Sequence, residues 1–281
     1  MKFGYHTESW GWKTITPRSF PLVLNQISES GFKGFETHDV DILPFLGREK
    51  DFFDMLSEKQ LQLASIHIYG YFYEPTIHLP HLMPWFNRFR TRISWIWKHV
   101  PKIINFAVKV GCKRLVIIGG EKKEERIKDK HYLKMAKTLN KIGKISKNCG
   151  VKTTYHPMKQ SIVSRIGQLA KLCELTDPDY VYLTLDTGHW VASGGNLVEV
   201  IKTYHKRIRH IHFRDFKEGK FVEFGTGTID FSNLLKLLNF MGYDDWVIIE
   251  NDYKIINSAR TTPLRSAKKA KMYIKHYLSM L

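Results

Sequence analysis

Seven strand-like runs in this chain end in an ionisable residue. "FGYH" ends in His6, "GFE" in Glu36, "LASIH" in His67, "TTYH" in His156, "YLTLD" in Asp186, "HIH" in His212 and "VIIE" in Glu250. Runs of this kind belong in a core, where an ionised group is costly unless it is paired, hydrogen-bonded or bound to a metal. Taken singly, each is an ordinary hydrogen-bonded core polar group. At the same end of successive strands they would repel one another or stay unsatisfied without a cation among them. Two histidines with two carboxylates suit a borderline divalent ion, Mn²⁺, Co²⁺ or Zn²⁺, with positions left open for substrate. Asp186 opens the phrase "DTGHW" and is read as a ligand; His189, one turn further on, is expected to face the same bowl.

The connections indicate what gathers these strand ends. Four phrases, "GFKGFE" at 31, "GCKRLV" at 111, "GVKTTY" at 150 and "GYDDWV" at 242, each follow a helix-like stretch and lead into a strand. A glycine just past a helix end takes the left-handed conformation that stops it. The helical stretches carry a 3.6-residue period. Leu234, Leu235, Leu237 and Leu238 make one apolar stripe; Ile162, Val163, Ile166, Leu169, Leu172 and Cys173 make another. Strands are expected near 2–6, 33–37, 62–68, 113–118, 151–156, 181–186, 208–213 and 246–250. Alternating β and α units predict a parallel sheet closed as a (β/α)8 barrel, one TIM-barrel domain over 1–281 with its site at the C-terminal strand ends. An open doubly wound sheet is the alternative, but no GxGxxG follows the first strand.

Lys and Arg number 44 against 27 Asp and Glu, a net charge of +17. The lysines are spread along the whole chain, which reads as a solvated surface, so a nucleic-acid partner is not expected. Cys112, Cys149 and Cys173 are scattered, and neither a signal-peptide core nor a membrane-length apolar run is present. A reduced, cytoplasmic setting follows. After the third strand, an insertion at about 70–100 carries Trp85, Phe86, Phe89, Trp95 and Trp97 with Arg88, Arg90 and Arg92. It reads as a lid or a subunit contact, leaving a homo-oligomer open, with packing on the next helix as the plain alternative. "FGTGTID", at 224–230, reads as a flexible loop able to approach a substrate, or as a turn.

The phrases "LDTGHWVASGG", "RIRHIHFRD", "GTGTIDF" and "WVIIEND" resemble the xylose isomerase-like TIM-barrel superfamily, which contains sugar isomerases and epimerases, inosose dehydratases and the endonuclease IV group. The resemblance runs over roughly residues 150–252; before that, "SWGW", "GFE" and "IH" fit in order. It implies one divalent metal held at the ends of strands 5 to 8 by His156, Asp186, His212 and Glu250, with His210 orienting a ligand. Many isomerases and epimerases of the superfamily carry Glu at the strand 5 position. His156 departs from that pattern, and dehydratase-like members often have His there.

A divalent cation chelated by a ketose carbonyl and its neighbouring hydroxyl acidifies the adjacent C–H. Loss of that proton opens isomerisation, epimerisation or dehydration. The expected function is a metal-dependent isomerase or epimerase acting on a keto-sugar or polyol-derived ketone, with an inosose dehydratase-like lyase as the alternative. Acid–base work is expected of Glu36, His67, His189 and Glu250. Substrate contacts are expected of His6, Trp10, Trp190 and Arg214, the indoles packing on apolar sugar faces. The two-base epimerases of the superfamily use a Glu on strand 5 and another on strand 8, and only Glu250 remains, which weighs against that route. An endonuclease IV-like repair enzyme is disfavoured because strand 4 ends "VIIGG" without a histidine and Ser232 stands where another is needed. A non-catalytic metal- or sugar-binding protein of the same fold is the remaining reading.

Overall fold

The structure, a computed structural model, describes residues 1–11, 15–70, 72, 95–120 and 127–279. Strands β1 (Lys2–His6), β2 (Gly34–His38), β3 (Gln62–Gly70), β4 (Arg114–Gly119), β5 (Lys152–Tyr155), β6 (Val181–Asp186) and β7 (Ile208–Phe213) are followed by a small hairpin, β8 (Asp215–Lys217) and β9 (Lys220–Val222), and then by β10 (Trp246–Ile249). The eight long strands are all parallel and close in the order β1-β10-β7-β6-β5-β4-β3-β2. This is a TIM barrel. The hairpin stands apart as a two-stranded antiparallel sheet and was not expected from the sequence.

The glycine phrases do what their position implies. Gly31, Gly111, Gly150 and Gly242 have φ of +87°, +76°, +70° and +69°, just past the helices Phe20–Glu29, Val100–Lys109, Asp129–Asn148 and Phe231–Phe240. The second apolar stripe is shorter as a helix than its periodicity suggested. Its helix spans Ile166–Leu175. Gln168 Oε1 accepts the Ser164 and Arg165 N–H groups and fixes that start, while Ile162 and Val163 are buried in the bend before it.

Outward-facing Phe35, Ile66, Leu115, Ile117, Leu183, Ile211 and Ile249 are buried against helix residues such as Phe20, Ile103, Phe106, Leu139 and Leu235. The barrel interior differs from the usual Val, Ile and Leu layers. Glu36, Ser65, Thr154, Thr184 and His210 share it with Val116 and Ile248, all fully buried, and Thr154 and Thr184 share a hydroxyl hydrogen bond of 2.7 Å. The floor is closed by the ring of Trp246, in room left by Gly34, whose added Cβ would lie 2.3 Å from that ring. Below it, Arg114 Nη2 donates to Asp245 Oδ1 at 2.5 Å.

Of the 70–100 insertion, Trp85, Phe86, Phe89, Arg88, Arg90 and Arg92 lie outside the described residues. Trp95 is buried and edge-on to Phe72; exposed Trp97 takes the Lys141 ammonium 3.7 Å from its ring centroid. Both belong to a π-helical turn, Trp95–His99, leading into the helix Val100–Lys109. No described helix is long and apolar enough to cross a membrane.

Gly34→Ala is expected to destabilise the barrel by about 1–3 kcal/mol through overpacking. Urea unfolding of the single variants and of Gly34→Ala/Trp246→Leu checks it: the double variant should lose less than the sum of the singles, because trimming the indole relieves the clash.

Candidate metal centre

The barrel brings His6, His38 and His67 to one half of its C-terminal rim, from β1, β2 and β3. It brings His156, Asp186, His212 and Glu250 to the other half, at the ends of β5, β6, β7 and β10. One ligand atom from each of the latter four lies within 4.8 Å of the rest, and all four residues are buried. His212 Nδ1 is 2.6 Å from Glu250 Oε2 and 3.9 Å from Asp186 Oδ2, and His156 Nε2 is 3.6 Å from Asp186 Oδ2.

The donor set fits a divalent ion. Ligand atoms of a tetrahedral site with bonds near 2.0–2.2 Å stand about 3.3–3.6 Å apart, the scale found here. His212 Nδ1 and Glu250 Oε2 are close but poorly aligned, and among the described residues neither has a hydrogen-bond partner although both are buried. A cation between them would satisfy both.

The "DTGH" phrase is local engineering for this site. Asp186 Oδ1 accepts the His189 N–H at 2.6 Å and caps the short helix Thr187–Ala192, leaving Oδ2 toward the bowl. Thr187 Oγ1 donates to Arg214 O at 2.7 Å and accepts from Arg214 N at 3.0 Å, which fastens β6 to the end of β7. Gly188 is needed because a Cβ there would meet Arg214 Cγ at 2.8 Å.

Arg214 lies across the carboxylates. Its Nε donates to Asp186 Oδ2 at 3.2 Å, its Nη1 to Asp252 Oδ2 at 3.1 Å, and its Nη2 to Glu250 Oε1. Glu250 Oε2 therefore remains beside His212. Phe221, on β9, covers the guanidinium at 4.9 Å and meets the His189 ring at the same separation. The hairpin is anchored by Asp215, whose carboxylate accepts N–H groups from Phe216, Gly225 and Gly227. The "FGTGTID" segment is thus fastened from below through its glycine amides.

Glu36, expected to do acid–base work, is fully buried: His210 Nε2 is 2.7 Å from Oε2, the Ser65 hydroxyl donates to the same oxygen, and His6 Nε2 and His212 Nε2 lie 3.1 and 3.0 Å from Oε1. A carboxylate so enclosed is placed to orient its histidines. Burial opposes its ionisation, but the charges of His212 and His210 outweigh this and hold it well below the usual carboxylate range. For His212 burial again opposes the charge, and Glu36 and Glu250 raise it well above the ordinary imidazole value.

The two indoles expected to contact substrate each have partners in the fold. Trp190 is buried beside Leu183, Leu185, Leu169 and Val200, on the outer face of β6, and its N–H donates to Asn196 O at 3.1 Å. The Trp10 N–H donates to Gln26 Oε1 at 2.6 Å, on the helix Phe20–Glu29, with its ring edge-on to outward-facing Tyr5. His189 is at the rim, 5.7 Å from the His156 ring; burial, aided by Arg214 and His156 against the pull of Asp186, lowers it to about 4.

Two rim residues escaped the sequence reading. His38 stacks on His67 at 5.0 Å, and its Nε2 is 3.5 Å from Glu8 Oε2. Glu8 also falls within 4.8 Å of His6 and Glu250. His38 was legible as the residue two beyond Glu36, on the same face of a strand. Burial opposes its charge, but Glu8 raises it to about 9. Glu8 sits on a 3-10 turn, Thr7–Trp10, with no strand period to mark it.

The xylose isomerase-like TIM barrel model matches residues 24–275, and the chain belongs to that family. An inosose dehydratase of Clostridium beijerinckii is 28% identical over 295 residues, covering 92% of this chain and 89% of the relative. Among solved structures, the IOLI protein with a bound zinc atom superposes with a TM-score of 0.77 at 19% identity, covering 100% of this chain and 99% of that one. The 3-keto-D-glucoside 4-epimerase of E. coli gives 0.76 at 16% identity, covering 98% and 99%. These two likenesses concern the fold.

One divalent ion per chain is expected after mild purification, and none in Asp186→Ala with an unchanged circular dichroism spectrum; elemental analysis reads both. A second expectation concerns acid stability. Burial, with His212 and Arg114, pushes His210 down to about 3 against the pull of Glu36. The unfolded chain takes up a proton near its ordinary value of about 6.5 that the folded chain refuses. Its contribution is complete above that value and is lost as pH falls toward about 3. Urea midpoints of metal-stripped protein at several pH values should fall less steeply across this window in His210→Gln.

Proposed function

We propose that this protein is a divalent-metal-dependent dehydratase acting on a polyol-derived ketone of the inosose class. The observation that carries the reading is the buried quartet of His156, Asp186, His212 and Glu250, in a chain similar over nearly its whole length to a protein named inosose dehydratase. His156 in place of a strand 5 carboxylate supports elimination over two-base epimerisation, because it leaves no pair of facing glutamates across the substrate.

An ion held by the quartet would supply Lewis-acid polarisation of the ketone carbonyl and its neighbouring hydroxyl. The residues around it do the rest. Glu36, through His210 and His212, fixes the inner wall. Arg214 balances the charge of Asp186 and Glu250. Glu8, the rim carboxylate outside the quartet, is ionised because His38 outweighs the effect of burial; it takes the proton from the carbon next to the carbonyl. His38, charged near neutral pH, returns a proton to the departing β-hydroxyl. The ketone loses one C–H proton and one hydroxyl, giving an enone and one water, with no change in oxidation state. A keto-sugar isomerase or epimerase is the second reading. It begins with the same proton transfer and differs only in where the proton is returned.

Incubation in D₂O with a panel of keto-inositols and ketoses, followed by NMR and ultraviolet absorbance, tests the reading. Exchange with loss of water and a new enone absorbance is expected for a keto-inositol; exchange without water loss moves the assignment to isomerase or epimerase. Glu8→Gln should slow exchange by about 10²–10⁴-fold with bound metal unchanged. No exchange on any member with the metal site full would leave a binding protein of the same fold.

A further inference from the structure

We propose that His67 presents a fixed Nε2–H to a substrate oxygen beside the metal centre, in a tautomer imposed by a hydrogen-bond relay from the backbone through His6. The relay starts at the Glu8 amide, which donates to His6 Nδ1 at 2.9 Å. A neutral imidazole that accepts at Nδ1 carries its proton on Nε2. His6 Nε2 is 3.4 Å from His67 Nδ1 in hydrogen-bonding geometry. Glu36 Oε1 is nearer, at 3.1 Å, but lies off the N–H direction and receives no hydrogen bond. His67 Nδ1 is therefore an acceptor, and its proton sits on Nε2.

That Nε2 is buried without a hydrogen-bond partner among the described residues. Its ring stands between the two halves of the rim, 5.0 Å from the His38 ring and 5.7 Å from each of the His156 and His212 rings. A buried donor with no acceptor persists where a ligand completes it. Next to four metal-ligating side chains, the acceptor that fits is a carbonyl or hydroxyl oxygen of the bound ketone. A second cation held by His6, His38 and His67, which also cluster within 4.8 Å, fits less well. Metal-bound histidines donate their other ring N–H outward, whereas His6 Nδ1 accepts one. His67 is thus a neutral hydrogen-bond donor and not the proton-transferring group expected from the sequence, and His6 is the residue that positions it. A site with such a donor rejects analogues lacking the oxygen it contacts.

The inference rests on the ketone-processing reading, and the experiment separates the two. Zinc-loaded protein with ¹⁵N-labelled histidine, its His67 signals assigned by their loss in His67→Gln, is examined by long-range ¹H–¹⁵N NMR. A proton on Nε2 and a bare Nδ1 are expected, with the Nε2–H signal moving when a keto-inositol is added. In His6→Phe the fixed tautomer should be lost. His67→Gln, which keeps an N–H near the same place, should hold kcat/KM within about tenfold, and His67→Leu should lose about 10²–10³-fold with zinc content unchanged. A wild-type proton on Nδ1, or wild-type kcat/KM in His67→Leu, overturns the proposal. Should wild type turn over no keto-inositol, the dehydratase reading fails by itself. The spectrum then still decides: a shift of the His67 Nε2–H on ligand addition upholds the proposal, and an unmoved signal overturns it.

Discussion

A carboxylate with no solvent exposure, Glu36, sets the terms for the barrel interior. An ionised group there is tolerable only if several donors converge on it. Ser65 and His210 supply hydrogen bonds to one oxygen, while His6 and His212 crowd the other. The demand is met by strands far apart in sequence, so the polar interior also fixes which strands face one another. The register shift between Phe35 and Glu36 on the β2–β3 edge falls at this carboxylate, as expected where a bulge re-aims a side chain. His212 belongs to both systems: Nε2 faces Glu36, and Nδ1 faces Asp186 and Glu250. A carboxylate behind a metal-ligating imidazole fixes its ring and raises its basicity, so the deep core and the rim chemistry are coupled through one side chain.

The rim is held by short-range devices. Thr187 fastens β6 to β7, Asp186 caps its own helix with one oxygen and faces the bowl with the other, and Asp215 gathers the amides of the loop beyond. Each spends a polar side chain on backbone groups that a parallel barrel leaves unpaired at its strand ends. The result is a rigid metal half, from β5 to β10, facing a histidine half on β1 to β3. Glu8 and His38, outside the quartet, lie on the second half, with Glu8 reaching to within 4.8 Å of Glu250.

The fold and the ligand-type residues at the strand ends were legible because they follow from local rules, and the family resemblance singled out the quartet among them. Period-2 runs, left-handed glycines after helices and ligand-type residues at strand ends do not depend on distant partners, and the strand ends fall within a residue or two of where those rules put them. The side-chain surroundings that were not legible share a cause. Trp190 and Trp10 stand just beyond strand ends, as substrate-stacking residues would, but the short helical turns there turn both indoles toward the helix layer. Glu36 has the residue type of a base; only assembled neighbours reveal that one of its oxygens is hydrogen-bonded by Ser65 and His210 and the other is enclosed by His6 and His212. Ile162 and Val163 keep the apolar period of the next helix while lying in a bend, because burial is indifferent to the backbone that delivers it.

By itself the sequence determined the alternation of strands and helices, the closure into a barrel and the set of residues able to hold a cation, since these depend on periodicity and on residue chemistry at element ends. Tertiary structure alone decided which groups each histidine nitrogen faces, which carboxylates are enclosed and which remain at the rim. It also revealed Glu8 and His38 opposite the quartet. Those properties are set by groups from different strands meeting within about 3 Å, the hydrogen-bonding range, and no spacing along the chain encodes such a meeting.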